Sequence, residues 1–91
     1  MKIRLSSRGD LMRIWKDDFL GNRGFFLPGE GKFSVGEEME VTFEVEGKEV
    51  GKAKVYVAWQ NLYGRVGELT PRGTFLRVMT MDEGLERSLG I

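Results

Sequence analysis

The sequence predicts an all-β fold: a small six-stranded antiparallel barrel with a short C-terminal helix, in a single domain spanning residues 1–91. Three observations predict it. Between residues 37 and 46, Met39, Val41, Phe43 and Val45 alternate with Glu38, Glu40, Thr42, Glu44 and Glu46. That is the period of a strand with one buried and one wet face. Thirteen glycines and only two prolines punctuate short apolar runs along the whole chain, which is the rhythm of strands joined by turns. Near the end, Thr80-Met81-Asp82-Glu83 has the form of a helix capping box. A chain of this length buries roughly 60–65% of its unfolded surface. Curling the sheet into a barrel is the economical way to hide its edges.

Each element follows from local pattern. Residues 2–7 alternate, with Ile3 and Leu5 on one face, and predict the first strand. Arg8-Gly9-Asp10 predicts a tight turn, and residues 11–16 the returning strand of a hairpin. Residues 24–28 form a short continuous apolar strand, ended by the turn Gly29-Glu30-Gly31. Phe25 and Leu27 must share one of its faces and Phe26 take the other. The expected arrangement puts Phe26 in the barrel and Phe25 outside. Residues 32–36 read as an extended connection into the 37–46 strand, and residues 61–71 as an irregular loop or short strand. Residues 72–79 predict the last strand. A helix over about 81–89, capped by Thr80, should stop at Gly90. Gly84 weakens it unless it docks, and Met81, Leu85 and Leu89 at i, i+4 and i+8 supply a docking face.

Register can be argued for the central hairpin. With Gly47-Lys48-Glu49 as the turn, residues 50–60 return along 37–46. Pairing Val45 with Gly51, Phe43 with Ala53, Val41 with Val55 and Met39 with Val57 buries the apolar set. It also sets Glu44 against Lys52, Thr42 against Lys54 and Glu40 against Tyr56. A slip by one residue sets Phe43 against Lys52 and fails. Large residues facing Gly51 and Ala53 imply that another element packs closely over that end.

Composition narrows the chemistry. There is no Cys and no His, so thiolate or imidazole metal sites, Cys or His nucleophiles and a His general base are excluded. Lys plus Arg and Asp plus Glu number 14 each, for a net charge of zero, which argues against a protein built chiefly to neutralise phosphates. The first ten residues lack the apolar core of a signal peptide, and no apolar run approaches the ~20 residues that span a bilayer. A cytoplasmic domain without membrane insertion is the expectation.

The middle of the chain resembles the PilZ family. The resemblance is carried by Gly24-Phe25-Phe26-Leu27-Pro28, by Phe33-Ser34-Val35-Gly36-Glu37-Glu38-Met39-Glu40-Val41, by Val55-Tyr56-Val57-Ala58-Trp59, and by Gly73-Thr74-Phe75-Leu76-Arg77-Val78. These stretches match the order and spacing of that family's strands over most of residues 18–80. The resemblance implies a PilZ-like barrel with a C-terminal helix, as the pattern alone predicts. Many PilZ domains bind cyclic di-GMP through an RxxxR arm and a [DN]xSxxG strand motif. Guanidiniums suit phosphates and guanine edges, and Gly admits close backbone approach.

This sequence departs from both motifs. Arg4-Leu5-Ser6-Ser7-Arg8 has the arginine spacing, but only three residues precede it and it falls in the first strand and turn. In Asp18-Phe19-Leu20-Gly21-Asn22-Arg23-Gly24 the Asp and Gly lie one residue too far apart, and Leu20 stands where Ser belongs. Phe19 through Pro28 is closer to the line of the pilus-type members, which lack the nucleotide motifs and act through protein partners. The resemblance therefore implies a non-enzymatic signalling or adaptor domain without a cofactor, with Phe25, Phe26, Trp59, Tyr63 and Leu85 as partner-contact candidates. The alternative is a direct cyclic di-GMP receptor using Arg4, Arg8, Asp18, Asn22, Arg23 and Gly24.

Other features have plainer readings. Asp17-Asp18 lacks a third ligand and reads as a solvated loop rather than a metal or acid/base pair. Lys52, Lys54, Tyr56 and Trp59 permit a second alternative, a small nucleic-acid-binding barrel. The neighbouring glutamate-rich strand weighs against it. Charge is segregated along the chain: +3 over residues 1–23, −5 over 30–49, +4 over 50–79 and −2 over 80–91. Pairing the acidic strand with the basic one neutralises much of this.

Overall fold

A computed structural model describes residues 1–29, 33–61 and 72–91. The chain forms β1 (Lys2–Leu5), α1 (Arg8–Ile14), β2 (Trp15–Phe19), β3 (Asn22–Pro28), β4 (Glu38–Val45), β5 (Lys48–Asn61), β6 (Gly73–Met81) and α2 (Glu83–Leu89). The strands make one sheet in the order β1-β4-β5-β6-β3-β2, curled into a half-barrel. All neighbours are antiparallel except β1, which runs parallel to β4. The expectation of a wholly antiparallel barrel is corrected on these points: β1 and β2 are the two edges of an open sheet, and two helices are present.

The departure begins at Ser7. Its hydroxyl accepts the Asp10 N–H at 3.2 Å, so residues 8–14 start as a helix instead of turning into a hairpin. Leu11 and Trp15 fall one helical turn apart and both enter the core. Because a helix separates β1 from β2, β1 is free to cross to β4. A parallel pair needs such a long connection.

The β2–β3 and β4–β5 hairpins use two-residue turns. Leu20 and Gly21 have φ of 53° and 82°, and Glu46 and Gly47 have 53° and 80°. Paired positive φ values match the strands' right-handed twist, and Gly at the second position relieves the cost. The tight Glu46-Gly47 turn corrects the expected register by two residues. Met39 pairs with Val55, Val41 with Ala53 and Phe43 with Gly51, and a bulge follows before Glu44–Glu49. A two-residue shift preserves the faces, so the expected apolar set is still buried. The outer pairs become Glu40 with Lys54, Thr42 with Lys52 and Glu38 with Tyr56.

One face of the sheet and both helices enclose the main core. It contains Leu11, Trp15, Phe25, Val41, Phe43, Val45, Val55, Val57, Leu76, Leu85 and Leu89. Burying each of the larger side chains contributes about 1.5–3 kcal/mol. Phe25 is fully buried against Trp15 and Phe43, with ring centroids 5.1 and 4.5 Å away. The expected roles of Phe25 and Phe26 are thus reversed. Phe25 pairs with Leu76 and Trp15, both core residues, whereas Phe26 pairs with Phe75 on the opposite face.

The close packing over Gly51 is α2. A Cβ on Gly51 would lie 2.8 Å from both Leu85 Cβ and Leu85 N. Asp82, not Thr80, precedes the helix, and Met81 remains in β6. The Asp82 carboxylate accepts the Lys52 N–H at 3.0 Å while its own N–H donates to the Lys52 carbonyl at 2.9 Å. The cap residue thereby moors α2 to β5. At the other end, Gly90 N–H donates to Arg87 O and Ile91 N–H to Glu86 O, with Gly90 at φ 78°. That pair of bonds is the Schellman ending expected from the glycine.

Candidate functional site

The sheet's second face has its own apolar cluster. Phe75 pairs across strands with Phe26 and Trp59, while its neighbour Leu76 pairs with Phe25 and Val57. Alternation along β6 therefore sends Phe75 away from the main core. Phe19, just before the Leu20-Gly21 turn, stacks on Phe75 at 4.5 Å and approaches Trp59 at 5.5 Å and Phe26 at 5.6 Å. Phe26 and Trp59 are 6.2 Å apart. Phe75 is closed off, Phe26 is nearly so, and Phe19 and Trp59 are half-buried. At the cluster's margin the Thr74 hydroxyl donates to Gln60 Oε1 at 3.2 Å, and Gln60 Nε2 donates to the Phe33 carbonyl at 2.7 Å. These bonds satisfy the fully buried Thr74 and hold the rim in place.

Gly24 explains how the cluster fits. A Cβ there would collide with the Leu76 carbonyl oxygen and come 2.8 Å from Phe75 Cζ. The phenyl ring of Phe75 lies where a side chain would stand. The glycine serves the sheet's own packing.

The residues expected to hold a nucleotide are divided. Asp18, Asn22, Arg23 and Gly24 come together at the β2–β3 hairpin, whereas Arg4 lies on β1 at the other end of the strand order. Most have partners within the fold. Arg4 Nε lies 3.6 Å from Glu44 Oε1, and Glu44 also holds Lys2 at 3.0 Å. Arg8 Nε donates to the Ser88 carbonyl at 2.9 Å, tying α1 to α2. Asp18 Oδ1 accepts the Gly21 N–H at 2.9 Å, and Asn22 Nδ2 donates to Leu20 O at 3.2 Å. Both bonds stabilise the turn. Asp17 Oδ1 accepts the Trp15 indole N–H at 3.0 Å. Arg23 lies over the Trp15 ring, 5.4 Å from its centroid.

Of the expected partner contacts, Phe25 and Leu85 are fully buried and form no surface. Trp59 is half-exposed in the aromatic cluster, and Tyr63 lies outside the described residues. Phe19 is the site residue that sequence reasoning missed. Its signal was the Leu20-Gly21 turn, which brings Phe19 back beside β3. The basic set divides similarly. Lys54 faces Glu40 and Tyr56 faces Glu38 across β4–β5, and Arg77 donates to the Tyr56 hydroxyl at 2.9 Å. Lys52 faces Thr42, so of the two lysines only Lys54 lies opposite a carboxylate, and Glu38 and Glu40 interrupt the track that phosphates would need.

Among the described residues no cluster of three acidic side chains is placed to hold a metal ion, and no helix is long and apolar enough to cross a membrane. The chain matches no protein-family model and no curated protein. What the cluster offers chemically is the half-buried rings of Phe19 and Trp59 beside a polar rim, suited to contact with an apolar side chain.

Proposed function

We propose that the chain is a non-enzymatic adaptor domain of PilZ-like type that works through protein–protein contact. It would serve bacterial cyclic di-GMP-linked regulation of pili, motility or biofilm. The observation that carries this reading is the aromatic cluster on the face opposite the core, where Phe19 and Trp59 stay half-buried over the buried Phe26. Aromatic side chains set in a polar rim are the usual anchors of protein interfaces. The reading is also supported by Arg4 and Arg8, which the family would use on a nucleotide. Here they bind Glu44 and the Ser88 carbonyl.

Two measurements test it. Calorimetry of the full chain at micromolar concentration against cyclic di-GMP should give no saturable heat. Saturable heat that disappears in Arg8→Ala and Arg23→Ala would establish the receptor alternative instead. A photoreactive residue at position 59, expressed in the native cell, should give a discrete heavier crosslinked species. Absence of that product, together with nucleotide binding, sinks the adaptor reading.

A further inference from the structure

β6 is paired unevenly. It bonds to β5 along its whole second half, through Val78, Thr80 and Met81. On its other side the pairing with β3 stops at Gly24–Arg77. Beyond that point Arg23 and Asn22 of β3 pair with no residue of β6. A cleft of about 270 Å³ opens there, lined by Arg23, Val78, Met79, Thr80, Met81 and Glu86. Met79 is the extra residue of a β-bulge, since Val55 pairs with Val78 and Lys54 with Thr80. It is 46% exposed. Bulges re-aim side chains and end pairing, and this one lies where the edge is left open.

The cleft is also charged in a particular way. Arg23 supplies a guanidinium from β3 and Glu86 a carboxylate from α2. Neither takes part in any of the ion pairs between described residues. Between these charges runs a strand edge. Such an edge presents main-chain donors and acceptors at strand spacing, a ready template for another extended chain.

We infer that this cleft seats a short extended peptide segment of a partner protein. The segment adds to the Val78–Met81 edge of β6, with an acidic side chain towards Arg23 and a basic one towards Glu86. The inference rests on the adaptor reading and gives it a second contact, with a stated partner chemistry. Charge complementarity selects the occupant. A nucleotide or free anion would put negative charge beside Glu86. An apolar small molecule would leave both charges unpaired. A peptide satisfies the guanidinium, the carboxylate and the strand edge together. The bulge limits pairing to a few residues, so binding is weak and depends on the charges.

The test uses the full chain labelled with nitrogen-15. The probes are two acetyl- and amide-capped pentapeptides, Asp-Val-Thr-Val-Lys and its reverse, Lys-Val-Thr-Val-Asp. One of the two should move the amide signals of Val78–Met81 saturably, in preference to the other. Arg23→Glu should weaken that binding roughly tenfold or more. A probe with lysine in place of its aspartate should recover binding to the variant. Arg23 is exposed, and unchanged signals from Val41, Val55 and Leu76 will verify that the variant folds.

Equal binding of both probes, or binding indifferent to Arg23→Glu, overturns the inference. So does free γ-aminobutyrate binding as tightly as the peptide, which would make this a small-zwitterion site. If neither probe moves these amides while position 59 still crosslinks, the cleft inference fails and the adaptor reading stands. If the probe binds but the crosslink is absent, the cleft survives and the aromatic surface loses its assigned role.

Discussion

At Gly24 a single hydrogen separates a packed sheet from a collision. An alanine methyl would meet the Leu76 carbonyl oxygen and the Phe75 ring, and neither β6 backbone nor a ring clamped by Phe19 can retreat cheaply. Gly24→Ala should cost about 2–3 kcal/mol in urea denaturation. A loss under half of that would mean that the ring moves freely and the aromatic cluster is looser than described. The next two residues separate the sheet's two faces. Phe25→Ala empties the core beside Trp15 and Phe43, at about 3–5 kcal/mol. Phe26→Ala removes one wall of the outer cluster and should cost roughly half as much. The opposite order would restore the orientation that the sequence suggested. The sequence could say that Phe25 and Leu27 share a face, because alternation is local. It could not say which face, because that depends on Trp15 and Leu76, which meet Phe25 only once β2 and β6 have paired with β3.

Among the elements, β4 was the most legible and α1 the least. Four apolar positions alternating with glutamates leave β4 one way to lie. Residues 11–16 carry Leu11, Met12, Ile14 and Trp15, a set that satisfies a short strand or a helix turn equally well. What decides between them is Ser7, whose hydroxyl takes the Asp10 amide. The C-terminal helix was legible in place but not in mechanism, since Thr80-to-Glu83 mimics a capping box that the fold does not use. Asp82 occupies the cap position, and its carboxylate reaches the Lys52 amide on β5 instead. Two substitutions separate these roles. Ser7→Ala should lower stability by about 1 kcal/mol, whereas Thr80→Ala should stay within about 0.5 kcal/mol of the parent. Equal losses in thermal or urea unfolding would mean that Thr80 caps α2 after all. The hairpin register was wrong by two because turn length was misjudged. Face alternation constrains parity only, and the Glu46-Gly47 turn supplies the remaining information.

Across the whole molecule, the first strand matters more than its four residues suggest. The described chain has a radius of gyration of 12.6 Å, near the ~12 Å expected for a compact domain of this length, yet its sheet does not close. β1 covers the outer edge of β4, where the Thr42 amide donates to the Met1 carbonyl at 2.9 Å and the Glu46 amide to Leu5 O at 3.0 Å. Lys2 and Arg4 add the paired charges on Glu44, and Ile3 and Leu5 pack against the core margin. The exposed ion pairs contribute at most about 1 kcal/mol each; the main effect of β1 is to occupy an edge. A chain beginning at Ser6, after an initiator Met, leaves the eight-residue β4 unpaired on that side. It should melt at a lower temperature and self-associate as concentration rises, seen as a growing mass in size-exclusion chromatography with light scattering. Thr42→Pro in the shortened chain removes one of the donors that face that edge and should reduce the association without restoring stability. A shortened chain that stays monomeric at the parent's melting temperature would show that β1 is an appendage. The curl of the sheet alone would then protect β4.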